Sequence, residues 1–484
     1  MTDVYQDNIL WDKGTIVTRI KGHHLHSGSS AALPTFYRNL EEALDVRRAS
    51  HSFYSIVQNS WQNTEDAVDF CSGDILGLGN SEERRAEFLN ELARHPQFTT
   101  GSGGVRLMDG NYTYLEKAER DLAEFHRART GLIVGSAFEA NVAVWSAIPR
   151  PGDVLMYDSL VHASTHEGMK QSLAALKVEF PHSDVDGFRA ALQQVLDSQP
   201  LVRKGQRSIL VAVESIYSMD GDVCPLQELV DVAKELSNNQ GNIQFVVDEA
   251  HSVGVIGPNG AGLVCELGLE EDIAVVVHSF GKALGAAGAI MLGNETIKNT
   301  LANFSRSIMF TTSPSFPFVA AIKSGYTLLA SGRMAKAQRQ VVTLSKVFLE
   351  CLTSHELWPV ARERGLLSVP LAEGWEDRTI HTHIVTVSTK QRYTYWLFFH
   401  LLSSSICVFP VEHPVVPLGQ GRLRIIVHAN NTEEQVEFLV AAIFTWVEEI
   451  LAIEDGRAPE KVSAAARQVY TWMRREGLTG FGMA

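Results

Sequence analysis

Between about residue 66 and residue 325, short apolar runs alternate with stretches of helical periodicity. The clearest runs are GLIVGS, DVLMYDS, SILVAVES, IQFVVDEA and IAVVVHS. Runs of about four to eight apolar residues that end in small or polar residues are typical of parallel strands buried on both faces. Parallel neighbours must be joined by crossover connections, which are usually helices. The alternation therefore predicts an α/β fold with a mainly parallel sheet.

The pattern changes on both sides of this region, which predicts three parts. The pattern of residues 1–65 predicts an irregular arm followed by a helix at FYRNLEEALDVRRA. The pattern of residues 66–325 predicts a large domain that contains the sheet. Residues 326–484 begin with a long helical pattern at AKAQRQVVTLSKVFLECL. They continue with strands at HIVTVST and RLRIIVHA and a helix at TEEQVEFLVAAIFTWVEEIL. This mixture predicts a smaller α+β domain in the C-terminal part of the sequence.

Charge and cysteine usage exclude several classes of protein. The 484 residues carry a formal net charge of -14 at pH 7, and an acidic surface repels nucleic acid and anionic membranes, so we expect no nucleic-acid partner. The five cysteines are scattered without a CxxC pair, which favours a reducing compartment and predicts no bound metal. No apolar stretch reaches about 20 residues and no secretory pattern opens the sequence, so we expect a cytoplasmic protein without a membrane span.

Polar residues that follow the apolar runs mark the expected ligand site, because ligands in an open parallel sheet bind beyond the carboxyl ends of the strands. Asp248 ends the run QFVV, and His251 follows three residues later. A partly desolvated carboxylate needs a cation or a strong hydrogen-bond donor to stay charged. A protonated pyridine nitrogen would be such a partner. A helix cap is the other interpretation of Asp248.

Lys282 lies in a similar setting, in the segment VVVHSFGKALGAAGA. It follows an apolar run and a glycine, where poor hydration favours the neutral amine that forms imines. Ser279, three residues earlier, could bind a phosphate. Asp248 and Lys282 are 34 residues apart (282 − 248), enough for one helix and one strand, so we expect them on neighbouring strand ends. An ordinary surface lysine is the alternative interpretation.

Two further turns follow apolar runs. GLIVGSAFEANVAV places Ser136 and Ala137 between a strand and a helix, where backbone amides at the helix N-terminus can bind phosphate. YDSLVHASTHEGM places His162 in a turn beyond another strand, where its ring could lie flat against a planar cofactor. A single histidine is more often structural, so this interpretation depends on the other residues.

Taken together and in order, these segments resemble the α-oxoamine synthases, a group of fold-type I enzymes that use pyridoxal 5′-phosphate (PLP). The motifs that carry the resemblance, over about residues 38–450, are GSGGVRLMDGNYTYLEKAERDLAEFH, SAFEANVAV, DSLVHAS, ESIYSMDGDVCPL, VVDEAHSVGVIGPNGAG, SFGKALG and PVVPLGQGRLRI. The group includes amino-oxononanoate synthase and serine palmitoyltransferase. The resemblance implies PLP as cofactor and a transferase fold: a large domain with a mainly parallel seven-stranded sheet, and a smaller α+β C-terminal domain.

The resemblance also implies roles for individual residues. Lys282 would hold PLP as a Schiff base and move the proton at the substrate Cα. Asp248 would pair with the pyridine nitrogen, and His162 would stack on the ring. Ser218 and His251 would contact the phenolic oxygen. The phosphate would be bound by the helix N-terminus and by hydroxyl groups, some from the other subunit, and the residues implied are Ser136, Ala137, Phe138, Ser279, Thr311 and Thr312.

The implied reaction is a decarboxylative condensation of an amino acid with an acyl thioester of coenzyme A or a carrier protein, which gives an α-aminoketone. Arg424, in GRLRI, would bind the carboxylate of the amino acid through its planar guanidinium, and Arg422 competes for that role. Since the active sites of this family lie at a subunit interface, the resemblance also implies a homodimer.

Two positions depart from the family pattern and bear on the substrates. Where the family has a segment like SNDYLGL, this sequence has CSGDILGL, so Gly73 and Ile75 replace an asparagine and a tyrosine. The change predicts more room around the amino acid, unless the alignment slips here. Members that use dicarboxylic acyl groups carry an arginine where this sequence has Tyr54, which favours a neutral acyl chain. If the acyl chain did end in a carboxylate, another cation, Arg47 or Arg106, would have to bind it.

Other functions stay open on the sequence. The motifs near 99–113 and 151–168 resemble amino-oxononanoate synthase at least as closely, which leaves the pimeloyl thioester of biotin synthesis as a possible acyl donor. A PLP aminotransferase or amino-acid lyase would share Lys282 and Asp248, but the HAS and GSGG motifs are against it. An inactive partner subunit would be expected to lack Lys282, which this chain retains.

Overall fold

The computed structural model describes residues 33–50, 52–53, 56, 67–475 and 477–483. The described residues form two compact units. The large unit comprises Gly73–Val342 and His428–Asn430. The small unit comprises the described part of Met1–Ser72 together with Thr343–Val427 and Asn431–Ala484. The division of the chain into three domains, with boundaries after residues 65 and 325, stays a prediction.

Strand and helix alternate along the chain, as the apolar runs predict. In chain order the described strands are β1 (Val68–Asp69), β2 (Thr130–Val134), β3 (Val154–Asp158), β4 (Leu176–Phe180), β5 (Ile209–Glu214), β6 (Ile243–Asp248), β7 (Ile273–Ser279), β8 (Ala289–Gly293), β9 (Ile384–Ser388), β10 (Ile406–Cys407), β11 (Phe409–Val411) and β12 (Arg422–Ile426).

The described α-helices are α1 (Thr35–Ala49), α2 (Glu82–Arg94), α3 (Thr113–Phe125), α4 (Ala137–Ala147), α5 (Ala163–Lys170), α6 (Val185–Ser198), α7 (Pro200–Arg203), α8 (Leu226–Leu236), α9 (Leu263–Leu267), α10 (Glu295–Phe304), α11 (Arg306–Met309), α12 (Phe316–Ala330), α13 (Ala335–Ser354), α14 (Trp358–Glu363), α15 (Thr394–Ser403), α16 (Glu433–Glu454) and α17 (Ala464–Arg475). Short 3-10 turns lie at Pro258–Gly260, Pro370–Ala372, Trp375–Asp377 and Gln391–Tyr393. Among these described helices, none is both long enough and apolar enough to cross a membrane.

The large unit is built on a seven-stranded sheet with the strand order β2-β8-β7-β6-β5-β3-β4. The pairs among β7, β6, β5, β3 and β4 are parallel. Only β8 runs the other way, antiparallel to both β2 and β7. The prediction of a mainly parallel seven-stranded sheet is therefore confirmed.

The central strands are buried on both faces, which explains why their sequences are continuously apolar. In β5, Ile209, Val211 and Val213 pack into one core, whereas Leu210 and Ala212 pack into a second core on the opposite face. Each aliphatic side chain of this size that is fully buried stabilises the fold by roughly 1.5–3 kcal/mol. The two cores enclose the sheet between layers of helix.

The direction of the strands brings their polar ends to one edge of the sheet. Because β2 and β7 are both antiparallel to β8, β2 points the same way as the parallel strands. The strands β3, β5, β6 and β7 end at Asp158, Glu214, Asp248 and Ser279. Asp248 and Ser279, which the sequence analysis singled out, therefore lie at the carboxyl edge, where ligands of open α/β sheets bind.

The small unit contains a three-stranded antiparallel sheet with the order β11-β12-β9. The predicted strands HIVTVST and RLRIIVHA correspond to β9 and β12, and the predicted helix TEEQVEFLVAAIFTWVEEIL to α16. Thr432 and Gln435 form a capping box at the start of α16, which satisfies amides that the helix leaves unpaired. The prediction of a smaller α+β portion is confirmed.

A tight loop between β7 and β8 carries Lys282. The amide of Gly285 donates to the carbonyl of Lys282 at 2.8 Å, and the amide of Phe280 to that of Gly288 at 2.9 Å. Gly285 has a φ of +56°, and a Cβ at this position would lie 2.6 Å from the amide nitrogen of Gly79. Both the left-handed backbone and the close approach of another chain segment require glycine here.

We expect Gly285→Ala to destabilise the protein more than a matched glycine substitution. Gly268, with a φ of +68°, is also left-handed, but a Cβ there meets nothing within 4 Å. Gly268→Ala should therefore lower the free energy of unfolding only by the backbone term, about 1 kcal/mol. Gly285→Ala adds overpacking and should cost roughly 1–3 kcal/mol more. Denaturant unfolding followed by circular dichroism measures both, and equal losses would contradict the close approach.

Candidate active site

The four residues predicted as catalytic lie at neighbouring strand ends of the large unit. The Nζ atom of Lys282 lies 2.8 Å from Nε2 of His251. Asp248 ends β6, and Lys282 follows β7 by three residues, so the 34-residue spacing does place them on adjacent strands. The charges of Asp248 and Lys282 both act on the pKa of His162, which desolvation lowers. The structure thus brings these four side chains into one site.

A chain of hydrogen bonds links Asp248 to His162. Asp248 Oδ1 accepts from the amide of Ala250 at 2.9 Å, and Oδ2 accepts from Asn141 Nδ2 at 2.7 Å. Asn141 Nδ2 also donates to Ser164 Oγ at 3.0 Å. Nδ1 of His162 accepts from the Ser164 amide at 3.2 Å and lies 2.7 Å from its Oγ. The chain orients the Asp248 carboxylate and leaves the proton of a neutral His162 on Nε2.

Glu214 places a second buried carboxyl group beside Asp248, since the two residues are directly paired across β5 and β6. Its Oε1 accepts from the amide of His162 at 2.5 Å. Burial and the neighbouring charge of Asp248 raise the pKa of Glu214 well above its usual range, although Lys282 opposes them. This shift favours the protonated form of Glu214, in which it can lie next to Asp248 without repulsion.

Asn141, Ser164 and Glu214 are site residues that the sequence analysis missed. Asn141 belongs to the otherwise apolar buried face of α4, where it is 2% exposed. An amide at such a position needs buried partners, which is the signal that could have identified it. Ser164 lies in the HAS motif and Glu214 ends an apolar run, the criterion that identified Asp248.

The predicted phosphate turn lies between β2 and α4, at the carboxyl edge. Ser136 is the N-cap of α4, and its Oγ accepts from the amide of Glu139 at 3.1 Å. The Gly135 amide donates to Glu139 Oε2 at 3.0 Å. Ala137 begins the helix. Because the Ser136 hydroxyl already caps the helix, the turn offers an anion mainly its backbone amides.

The remaining predicted cofactor contacts lie around this turn and the neighbouring strand ends. The ring of Phe138 is half exposed and meets the His162 ring edge-on, with centroids 6.5 Å apart. Ser279 is buried at the end of β7, and its Oγ accepts from the Gly281 amide at 3.4 Å. Ser218 lies in the turn that follows β5. Their contacts with a cofactor stay predictions.

Thr311 and Thr312 lie near the phosphate turn of their own chain. They are exposed, and together with Gly135, Glu139 and Arg106 they line a cavity of about 150 Å³. Their implied reach to the cofactor of a partner subunit stays a prediction. Because both threonines are exposed, a partner subunit could reach them.

Gly73 borders Lys282, as expected for a residue near the amino acid substrate. A Cβ at Gly73 would lie 3.8 Å from Cγ of Lys282, an ordinary van der Waals distance. A side chain could therefore stand at this position and touch the lysine. Ile75 is instead a core residue with 1% exposure. Tyr54, the other position that departs from the family, lies outside the described residues.

The two arginines proposed for the carboxylate lie on β12 of the small unit. Arg422 and Arg424 point to one face of the strand, while Leu423 and Ile425 are buried on the other. Burial lowers the pKa of Arg424, whereas Nε of Arg422 donates to the Gln420 carbonyl at 3.0 Å. Both are positioned on a rigid strand, and the choice between them stays open.

Arg47 and Arg106, the two alternative cations for the carboxylate of a dicarboxylic acyl group, differ in whether they are free to bind it. Arg47 is exposed in the last turn of α1. Arg106 instead donates two hydrogen bonds to the buried carboxylate of Glu119, at 2.5 and 3.0 Å. An arginine held in this bidentate pair has little capacity left for a substrate carboxylate.

A second ionised cluster at the same sheet edge holds two of the site's turns. Nδ1 of His182 lies 2.8 Å from Asp158 Oδ1, and its Nε2 lies 3.0 Å from Asp222 Oδ2. Although burial lowers it, the hydrogen bonds to these carboxylates raise the pKa of His182 to about 10. Asp158 Oδ1 also accepts from the amide of Leu160, in the turn that leads to His162. The cluster thus connects this turn to the one after β5.

We expect His182→Gln to destabilise the protein in a pH-dependent way. Because the folded pKa lies above the unfolded value of about 6.5, the imidazolium stabilises fully below that pH and loses its contribution as pH rises to about 10. The variant should be about 2 kcal/mol less stable than the wild type at pH 6, with a gap that narrows steadily toward pH 10. Denaturant unfolding at several pH values measures the gap, and a constant one would show that the ion pairs contribute nothing.

Comparison with known proteins agrees with this geometry. Residues 65–443 match the family Aminotransferase class I and II. Over 458 residues, 95% of this chain and 97% of the relative, the sequence is 48% identical to the aminoacyl transferase sphA of Aspergillus fumigatus. Over 385 residues, 79% of this chain and 90% of the relative, it is 40% identical to 8-amino-7-oxononanoate synthase of Emericella nidulans.

The fold agrees as well. A solved structure of SPT with PLP matches with a TM-score of 0.65 and 23% identity, covering 78% of this chain and 87% of that chain. The chain therefore belongs to the aminotransferase class I and II family and, within it, to the PLP-dependent α-oxoamine synthase-like acyltransferases.

Proposed function

We propose that this chain condenses an amino acid with an acyl thioester that carries a neutral acyl chain, releasing CO2 and the thiol and leaving an α-aminoketone. The observation that carries the proposal is the contact of Lys282 with His251 at 2.8 Å, beside the Asp248 carboxylate that Asn141 orients. A lysine amine, an oriented carboxylate and an imidazole at one sheet edge are the groups that this chemistry needs.

The described residues fit PLP in their chemistry. Lys282 would hold the cofactor covalently through Nζ, and Asp248 would hold the proton on the pyridine nitrogen. The ring of His162, fixed by Ser164, would stack on the cofactor, and the amides before α4 would bind its phosphate. Bound PLP supplies an electron sink for the negative charge that develops at the substrate Cα.

The chain's own residues would then carry out positioning and proton transfer. Nζ of Lys282 would remove the proton from the substrate Cα. His251, whose Nε2 lies 2.8 Å away, holds Nζ in place. Arg424 or Arg422 binds the substrate carboxylate. A carbon–carbon bond would form between Cα and the acyl carbon, and the carbon–sulfur bond would break to release a thiolate. The carboxylate would leave as CO2, and Nζ of Lys282 would return its proton to Cα.

The preference for a neutral acyl chain is supported by two observations. Glu119 already binds Arg106 in a bidentate pair, and Tyr54 stands where dicarboxylate-using members carry an arginine. The sequence is 48% and 50% identical to two sphA proteins and 40% identical to the Emericella nidulans 8-amino-7-oxononanoate synthase. The similarity to 8-amino-7-oxononanoate synthase makes a pimeloyl thioester the second candidate acyl donor.

A homodimer belongs to the proposal. The large side chains of Phe138 and Phe310 are 49% and 65% exposed. Phe138 is itself a predicted phosphate contact, and Phe310 directly precedes another, Thr311. Apolar rings at such positions are a typical feature of subunit interfaces. A partner subunit that covers them would bring Thr311 and Thr312 to a shared site.

We expect replacement by the matching amide to weaken PLP binding at Asp248 but not at the adjacent Glu214. Asp248→Asn removes the charge that would hold the pyridinium proton, so bound PLP should fall at least about tenfold in affinity. Glu214→Gln introduces a neutral amide of the same shape as the protonated acid that the raised pKa of Glu214 favours, so it should retain PLP within about threefold. Cofactor absorption after dialysis measures both. Equal retention by both variants would return Asp248 to a capping role.

The acyl donor can be tested by thiol release. With one fixed amino acid, long neutral acyl thioesters should exceed pimeloyl and succinyl thioesters by at least about tenfold in kcat/KM, because an unpaired carboxylate is costly in a desolvated pocket. Lys282→Ala serves as the control for uncatalysed hydrolysis and should show no condensation. A pimeloyl thioester that performs as well as the neutral one would refute the neutral-chain preference but not the condensation.

Gly73 should govern the size of the amino acid. In Gly73→Asn, the new side chain would stand in contact with Lys282 and take space next to the substrate. We expect kcat/KM for bulky amino acids to fall at least about tenfold more than that for glycine. Gly241→Asn, at a left-handed glycine where a Cβ meets nothing within 4 Å, is the matched control. A uniform loss for all amino acids would contradict this role.

A further inference from the structure

A cavity of about 490 Å³ opens in the large unit away from the carboxyl edge. Ala274, Val276 and His278, alternate residues of β7, line it, so it follows one face of the strand for about 13 Å. Leu292 and Ile297 complete an apolar middle section. The volume is within the range of small-molecule sites.

The inner end of the cavity is polar and unsatisfied. Glu249 and His278 are 0% and 1% exposed, and both line the cavity. Glu249 Oε1 accepts from the Val264 amide at 2.9 Å. Within the described part of the chain, however, Oε2 of Glu249 and Nδ1 of His278 have no hydrogen-bond partner. Buried polar atoms without partners are costly, and they mark places where a ligand or water belongs.

Burial raises the pKa of the Glu249 carboxyl to about 7, and in its ionised form Oε2 requires a hydrogen-bond donor, as Nδ1 of His278 does. Nε2 of His278 lies 3.6 Å from Glu249 Oε2, and burial keeps the pKa of His278 well below its usual range. His278 is therefore neutral, and when its single proton faces Glu249, its Nδ1 is an acceptor. A stacked second imidazole, that of His126, is also neutral, because burial lowers its pKa to about 4. The pair adds no positive charge.

The mouth of the cavity is electrostatically balanced. Arg127 pairs with Glu270 at 2.9 Å, and Arg129 pairs with Glu271 at 3.1 Å. These four rim charges cancel. Glu249 is then the remaining ionisable acid among the lining residues described, so the interior favours a cation over an anion.

We propose that this cavity is a second ligand site, which binds a short alkyl cation of the amine or guanidine class, with its N–H donors on Glu249 and His278. The alkyl part lies along Val276, Leu292 and Ile297. A planar guanidinium or an ammonium offers several donors at once, as two neighbouring acceptors require. Because Glu249 directly follows Asp248, the ligand is held one residue from the proposed cofactor site.

Calorimetric titration of the full-length holoenzyme tests the proposal. The probe is n-butylguanidinium, which does not condense with the cofactor aldehyde as a primary amine would. Its matched controls are n-butylurea, a neutral molecule of the same shape, and pentanoate, an anion. We expect one butylguanidinium per chain, with a Kd at least about tenfold lower than that of butylurea, and no binding of pentanoate. Cofactor absorption should not change during the titration.

Three variants locate the site. Glu249→Gln should weaken butylguanidinium at least about tenfold and leave butylurea within about twofold. Ala274→Leu fills the lumen and should weaken both probes. Glu271→Gln removes an exposed carboxylate from the rim and should leave both within about twofold.

The proposal is overturned by no detectable butylguanidinium binding up to about 10 mM, by equal affinity for the cation and the urea, or by wild-type affinity in Glu249→Gln. If Glu249→Gln does not fold, Ala274→Leu decides in its place, and undiminished binding in that variant overturns the proposal. None of these outcomes bears on the condensation reaction, which thiol release measures separately.

Discussion

Two carboxyl groups on adjacent buried strands cannot both carry a charge unless partners compensate them. Glu214 and Asp248 are in this situation, directly paired across β5 and β6. Burial and the charge of Asp248 raise the pKa of Glu214, which favours its protonated form, and Asn141 donates a hydrogen bond to Asp248. The same arrangement fixes His162, whose amide donates to Glu214. The geometry of the site depends on this pair of acids.

The parallel sheet makes such an arrangement possible. Strands that run in one direction bring their ends together, so a side chain that follows each apolar run reaches the same edge. Loops then add functional groups at fixed positions. Lys282 is held by a loop that requires the left-handed Gly285. His182 pairs with two carboxylates, those of Asp158 and Asp222, and so connects the turns that carry them. A rigid scaffold thus supports the polar groups, as active sites require.

The strands β6 and β7 serve both proposed sites of the large unit. Their carboxyl ends carry Asp248 and Lys282, whereas one face of β7 lines the separate cavity that ends at Glu249. Asp248 and Glu249 are neighbours in sequence but differ in surroundings. One accepts two hydrogen bonds at the carboxyl edge, and the other has an unpaired oxygen in the interior. A ligand in the cavity would bind to Glu249, the residue that follows Asp248.

The sequence by itself determined the class of fold and the main groups of the site. Continuous apolar runs specify strands buried on both faces, and the 34-residue spacing of Asp248 and Lys282 specifies adjacent strand ends. Ordered motifs identified the family, because residues that share a local segment can be recognised without a structure. These features are local in the chain, which is why the sequence contains them.

Only the tertiary structure decided which residues complete the site. Asn141 and Asp248 are 107 residues apart, and nothing local links them. The raised pKa of Glu214 depends on desolvation and on a charge from another strand. The engagement of Arg106 with Glu119 likewise appears only when helix and loop meet. Hydrogen bonds and pKa shifts depend on distances between side chains that are remote in sequence, and those distances are set by packing.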